Sequence, residues 1–257
     1  MKSDLNVFKV FQQGDEYFEL LNNQDNAKKY LYKQALLILL FSFLYGLIMG
    51  SFNGLLQSLV TSIKMPVLIL LSLLICFPAF YVIQFMLGSK MAVFHMANMI
   101  LSGFIVFTTI ALSFSPIILF FMITSNNYAF LKLLHVAIFV FSGIFGMRTI
   151  VNGLKYSCEK TNVYPKMGIN VFKFWIVIFA FVSMQLAWNL RPFVGSKDLP
   201  FELFREKEGN FYLAVSQSIK DFLVSGDQGK NSTKNLPDVV PALKDTTKSE
   251  ILQYENY

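Results

Sequence analysis

Residues 35–60 read ALLILLFSFLYGLIMGSFNGLLQSLV, without a single Asp, Glu, Lys, Arg or His. A helix of this length reaches past the roughly 30 Å hydrocarbon core of a bilayer. Ser42, Gly46, Gly50, Gly54 and Ser58 recur in it at every fourth place. On one continuous helix they form a slowly drifting stripe of small residues, and such a stripe lets another backbone approach closely. It predicts tight packing against a neighbouring span of the same chain or against a second copy.

The same character extends outward. No Asp or Glu occurs between Asp25 and Glu159. A carboxylate at the centre of a membrane helix costs about 2.5–3.5 kcal/mol, so a run of this length free of acids points to lipid as the solvent. Hydrophobic residues make up 54% of the chain, 28 residues are Phe, and the mean hydropathy is +0.51. Charged residues are 15%, against roughly 25% in soluble domains. The fold class expected is all-α: a polytopic transmembrane helical bundle of about five membrane-spanning helices, with amphipathic helices at both ends.

The spans are expected at residues 35–60, 66–87, 94–115, 129–153 and 171–190, within a membrane unit of residues 35–190. Pro66 opens the second span and Pro78 interrupts it. Residues 91–123 exceed one straight crossing. They read as one crossing with a kinked extension at Pro116; a re-entrant hairpin is the alternative and would reverse the side of everything downstream. Trp175 and Trp188 lie about 20 Å apart along a helix, as two interfacial anchors would.

The flanks are amphipathic. Residues 1–34 form a cytoplasmic segment in which Val7, Phe8, Phe11, Phe18 and Leu21 recur at near-helical spacing. It is expected to rest on the membrane face or to pack on a cytoplasmic loop. Its mixed, charged opening lacks the apolar run and cleavage site of a signal peptide, which leaves insertion to the first internal span. Residues 191–224 form an interfacial helix with Phe201, Phe204, Phe211, Val215, Ile219 and Phe222 on one stripe. Residues 225–257 are polar, broken by two prolines, and expected to be a flexible tail.

The net charge is +6. With five spans and the N-terminus inside, eleven Lys and Arg fall on the inside. Two fall in the outside loops, near Lys64 and Lys132, and the start of the tail raises the outside number to six. The positive-inside rule then places the N-terminus in the cytoplasm, and the cytoplasmic (inner) membrane of a bacterium is the expected location. No dense Arg/Lys stripe or binding motif accompanies the charge, so nucleic acid is not an expected partner.

Intramembrane polar groups are the candidates for chemistry. His95, Asn98 and Ser102 share a face of the third helix, with His135 and Arg148 on the fourth. Together His95, Asn98, His135 and Arg148 suggest either interhelical hydrogen bonds or a polar path. The membrane core lacks a carboxylate to relay protons or hold a cation. HExxH, Gly-x-Ser-x-Gly and phosphate-binding glycine loops are missing, two isolated histidines are too few for a metal site, and paired carboxylates are absent from the spans. Catalysis, a metal and a cofactor are therefore not expected. Cys76 lies in an apolar run and Cys158 is read as a loop residue; the two suggest no disulfide framework. Asn231-Ser232-Thr233 matches a glycosylation sequon, relevant only in a eukaryotic secretory pathway. Trp188, Arg191, Phe201, Phe204 and Arg205 mark either a helix exit resting on headgroups or a surface for a partner.

A cytoplasmic N-terminal segment followed by five closely spaced spans resembles the Yip1-type membrane proteins. Lys64-Met65-Pro66 and Ile75-Cys76-Phe77-Pro78 are compatible with that architecture, while the Asp-Leu-Tyr-Gly-Pro signature of the eukaryotic members is missing. Residues 186–204, LAWNLRPFVGSKDLPFELF, are also similar to uncharacterised bacterial multi-pass proteins. The resemblance implies no catalytic residue. The expected function is a non-enzymatic organiser or scaffold of a membrane complex, with the bilayer and either a second copy or a membrane-protein partner as its contacts. The alternative is a small transporter or channel.

Overall fold

The computed structural model describes residues 15–22, 27–124, 128–160 and 162–193. They belong to the first of two units into which the chain divides, Met1–Ile219; the second, Lys220–Tyr257, lies outside the described residues. Seven helices and no strand occur among them: α1 (Asp15–Asn22), α2 (Ala27–Gly50), α3 (Leu55–Met86), α4 (Val93–Ser113), α5 (Ser115–Thr124), α6 (Tyr128–Glu159) and α7 (Lys166–Leu190). α2, α3, α4 continued by α5, α6 and α7 are each long and apolar enough to cross a membrane, five in all.

The surface is inverted relative to a soluble protein. Leu55, Met86 and Ile123 are 80–86% exposed, and every span carries exposed Leu, Ile, Val or Phe. Gln34, Gln57, Thr61, Gln84, Asn98, Ser102, Ser142 and Ser157 are buried. Lipid solvates apolar side chains but offers polar ones no partner, so polar groups turn inward.

The first span differs from the one expected at 35–60. It starts earlier, at Ala27, and stops at Gly50. Residues 51–54 turn the chain, and Gly54 has φ +120°, a conformation that favours glycine. α3 then runs from Leu55, eleven residues before the expected start at 66. The small residues are thus divided between two antiparallel helices. A Cβ at Gly46 would lie 2.7 Å from the Thr61 carbonyl and 2.8 Å from Ser62 Cα; one at Gly50 would lie 2.6 Å from the Gln57 carbonyl. Ser58 Oγ donates to the Leu47 carbonyl at 2.6 Å, closing the hairpin. Ser42 is buried and donates to Ile38 on its own helix, whereas a Cβ at Gly54 would face open space. The glycines of α2 face the α3 backbone.

α4 and α5 continue one another. Phe114 N–H donates to Ile110 and the Phe114 carbonyl accepts from Ile118, so helical bonding passes through the junction without reversing. Pro116 has no N–H to give Leu112, which accounts for the interruption. The re-entrant alternative is not what forms. α6 runs on to Glu159 and α7 starts at Lys166, both beyond the expected limits of 153 and 171. Cys158 is therefore a buried helix residue rather than a loop residue, and both cysteines are free.

α4 lies at the centre, and the span it forms with α5 is the most buried of the five. It packs on α2 and α6, while α3 packs on α2 and α7. Gly146 meets Gly103 where α6 crosses α4, with 2.7 Å between a Cβ at Gly146 and the Gly103 carbonyl. Trp175 is not an interfacial anchor. It is 4% exposed, donates from Nε1 to the Cys76 carbonyl at 3.2 Å, and packs on Phe80, Phe172 and Phe179.

Candidate functional site

Most polar side chains that bond one helix to another gather at the two ends of the bundle, whereas Ser72, Thr108, Ser142 and Thr149 are buried between them. The end carrying α1, the α3–α4 loop and the α6–α7 loop is the proximal end; Lys90 N–H donates to the Val163 carbonyl at 2.9 Å and joins the two loops there. The end carrying the α2–α3 turn and the exit of α7 is the distal end.

At the proximal end, α1 is sunk into the bundle rather than lying on its face. Tyr17, Phe18 and Leu21, one face of the helix, are 0–3% exposed. Gln34 Nε2 of α2 donates to the Tyr17 hydroxyl at 3.3 Å. Burial raises the Tyr17 pKa well above the usual phenol range, with Ser102 and Gln34 hydrogen bonds partly opposing it. Phe18 stacks 5.7 Å from Tyr156 of α6, and a Cβ at Gly153 would meet both Phe18 and Met99. Asn98 Nδ2 donates to the Ala27 carbonyl at 2.9 Å, tying the centre of the bundle to the first turn of α2. Gln84 Nε2 donates to the Gly168 carbonyl at 3.1 Å and joins α3 to α7. In the α6–α7 loop, burial raises the Tyr164 pKa, with a smaller contribution from Cys158.

At the distal end, three donors on α3 converge on the chain leaving α7. Gln57 Nε2 donates to the Pro192 carbonyl at 3.0 Å, Thr61 Oγ1 to the Phe193 carbonyl at 2.8 Å, and Lys64 Nζ to the Pro192 carbonyl at 3.3 Å. Lys64 is 6% exposed, ten residues into α3, and is not in the outer loop expected from the sequence. Tyr45 of α2 and His135 of α6 share a hydrogen bond of 2.8 Å with their rings edge to face.

The four residues of the expected polar path are not brought together. His95 and Asn98 are proximal and buried, and His135 is distal. With Gly103 opposite Gly146, His135 stands opposite about residue 114 of α4, roughly 28 Å along the axis from His95. Phe104, Ile105 and Ile150 are buried between these levels. Arg148 is exposed on the outer side of α6. Of the expected docking residues, Trp188 and Arg191 pair at the distal end, with the guanidinium 3.8 Å from the ring centroid. Phe201, Phe204 and Arg205 lie outside the described residues, as do the expected interfacial helix, the tail and the sequon.

Gln57, Thr61, Tyr45 and Tyr17 were not singled out by sequence reasoning. The first two were findable, because residues 57, 61 and 64 share one helix face once the turn at 51–54 is recognised. Among the described residues, no group of three His, Cys, Asp or Glu is placed to hold a metal ion. No family model, no curated protein and no solved structure matches the chain.

Proposed function

We propose that the chain is a non-enzymatic membrane organiser that acts by binding a partner protein, oriented with its proximal end in the cytoplasm. What supports this over transport is the division of its buried polar groups. Most side-chain hydrogen bonds from helix to helix sit at the two ends, while the hydroxyls buried between them, Ser72, Thr108 and Thr149, donate to carbonyls of their own helices. A solute path needs polar groups in succession across the bilayer. The orientation rests on the basic residues. Lys28, Lys29, Lys33, Lys90, Arg148, Lys155, Lys160, Lys166 and Lys173 lie toward the proximal end. Lys64, Lys132 and Arg191 lie toward the distal end, and Lys64 is inside the bundle. Cytoplasmic segments carry the excess of Lys and Arg, and the anionic leaflet there attracts them.

Purification of the tagged chain in mild detergent is expected to return a stoichiometric protein partner. A lone monomer, together with substrate flux in reconstituted liposomes, would favour transport and overturn the proposal. Reporter fusions at the α3–α4 loop are expected to read cytoplasmic, and an external reading would invert the orientation.

A further inference from the structure

We infer that the chain holds the bilayer at two thicknesses, thick along α3 and thin along α7, and so gathers phospholipids with long acyl chains on one flank and short ones on the other. Every exposed side chain of α3 from Leu55 to Met86 is apolar, and the one charged residue of the helix, Lys64, is buried. The outer face of α3 is therefore apolar without a break over about 46 Å. On α7 the exposed face is polar at Lys173 and again at Gln185 and Asn189. At most about 24 Å of it is apolar. An ordinary hydrocarbon core, about 30 Å thick, lies between the two.

Tilting the bundle does not reconcile them, because it shortens both in proportion. At about 40°, the upper end of the usual range, they stand about 35 Å and 18 Å tall. Sliding the bundle along the membrane normal does not help either, because α3 overruns α7 at both ends. The two helices are antiparallel and in fixed register. Gln84 bonds the Gly168 carbonyl and Phe80 meets Phe172, which sets Val82 level with Asn170 and Met86 level with Lys166. Val82, Phe85 and Met86 are 55–80% exposed, yet Asn170 and Lys166 beside them are exposed polar residues. At the other end Thr61 bonds the Phe193 carbonyl, so Ile63 stands level with about Asn189 and Leu55 lies beyond the end of α7. On the far side of α3, Gly46 lies over Ser62, which brings the exposed Lys29 of α2 level with about residue 79. α3 thus carries its apolar face about 10 Å past Lys29 and Lys173, the cations of both neighbours. The overrun is continuous with the face that lipid covers, so lipid is its occupant. Acyl chains rising along α3 keep Phe85 and Met86 out of water, and headgroups drawn down along α7 solvate Lys173 and Gln185.

The test uses the full chain with Cys76 and Cys158 replaced by Ala and one labelled thiol at a time, each variant melting as the parent does. A nitroxide goes on Val82→Cys of α3 or Asn170→Cys of α7, two exposed positions at one level. The vesicles are dioleoyl phosphatidylcholine. Relaxation by oxygen, which concentrates in hydrocarbon, relative to relaxation by a water-soluble nickel chelate is expected to be at least fivefold greater at residue 82 than at residue 170. Equal ratios mean a flat bilayer and overturn the inference. Shielding of residue 82 from both relaxants means that a second copy or another protein covers α3, and overturns it as well. Lipid sorting is read with a fluorophore on Leu70→Cys or Phe181→Cys, both lipid-facing. In equimolar dierucoyl and dimyristoleoyl phosphatidylcholine, brominating the long-chain lipid is expected to quench Leu70→Cys at least twofold more than Phe181→Cys. Brominating the short-chain lipid is expected to reverse the order. Equal quenching at the two positions overturns the inference.

Discussion

α3 meets α2 on one side and α7 on the other. Toward α2 the contact is backbone against backbone, with Gly46 and Gly50 set on the Thr61 and Gln57 carbonyls. Toward α7 it is a cluster of rings, hereafter the ring stack, with Phe80 edge-on to Phe172 at 5.3 Å and tilted against Trp175 at 4.9 Å, and Trp175 bonded to the Cys76 carbonyl. Between helices in lipid the hydrophobic effect contributes little, and close packing with a few hydrogen bonds must hold them. The two interfaces solve that problem differently. A glycine contact has little that can give, since the two nearest atoms met by an added Cβ at each of these glycines are main chain. A ring stack has rotamers and can settle.

Gly46→Leu is therefore expected to have the largest effect. Its side chain meets the α3 backbone under 3 Å and cannot rotate away, so the cost is about 3 kcal/mol or more, at the upper end for overpacking. The check is a mild-detergent melt and the yield of monodisperse protein. If the variant melts like the parent, the hairpin is not closed by direct backbone contact and the comparison fails.

Trp175→Ala comes next, at about 2–3 kcal/mol. Aqueous cores lose about 3–5 kcal/mol on such a truncation; here only packing and one hydrogen bond are lost, because an exposed ring would still lie in lipid. Unfolding in a mixed-micelle titration measures it. A loss as large as that of Gly46→Leu would show that the ring stack is as unyielding as the glycine contact. Trp175→Phe keeps the stack and should recover more than half of the loss.

Ser58→Ala isolates the polar component of the hairpin. It removes the Ser58–Leu47 bond and leaves the glycine contact intact. Hydrogen bonds between membrane helices average about 0.6 kcal/mol, which sets the expected loss in the same titration. A loss above about 2 kcal/mol would mean that hydrogen bonding rather than shape holds α2 to α3.

These effects also mark where sequence reading succeeded. Five spans were legible because lipid excludes charge, and an acid-free run reports that exclusion directly. Direction was not legible. The turn at residues 51–54 is made of Ser, Phe, Asn and Gly inside an apolar run, and hydropathy is blind to whether a chain continues or reverses. The four-residue recurrence of small residues concealed the turn, because Gly54 and Ser58 keep the spacing of Gly46 and Gly50 although the helix has ended. That one misplacement put Lys64 in a loop and hid the donors Gln57 and Thr61. The proximal site was half legible: His95, Asn98 and Ser102 were placed on one face. That the face receives α1 depends on contacts across more than seventy residues, which local periodicity does not encode.

Gly143→Ala gives the smallest effect and the sharpest control. Gly143 lies in α6, in an apolar stretch like that around Gly46, and a Cβ there would meet nothing within 4 Å. Glycine inside a helix costs up to about 1 kcal/mol relative to alanine because it restrains the unfolded backbone less. The substitution should leave the melting temperature unchanged or raise it by a few degrees. Gly46→Ala, the same chemical change, should lower it, because even a methyl group meets the Thr61 carbonyl at 2.7 Å. Opposite signs for one substitution at two glycines would trace the requirement to the surface each one faces. Equal signs would trace it to the residue type, and the distinction between backbone contact and ring stack would then lose its basis.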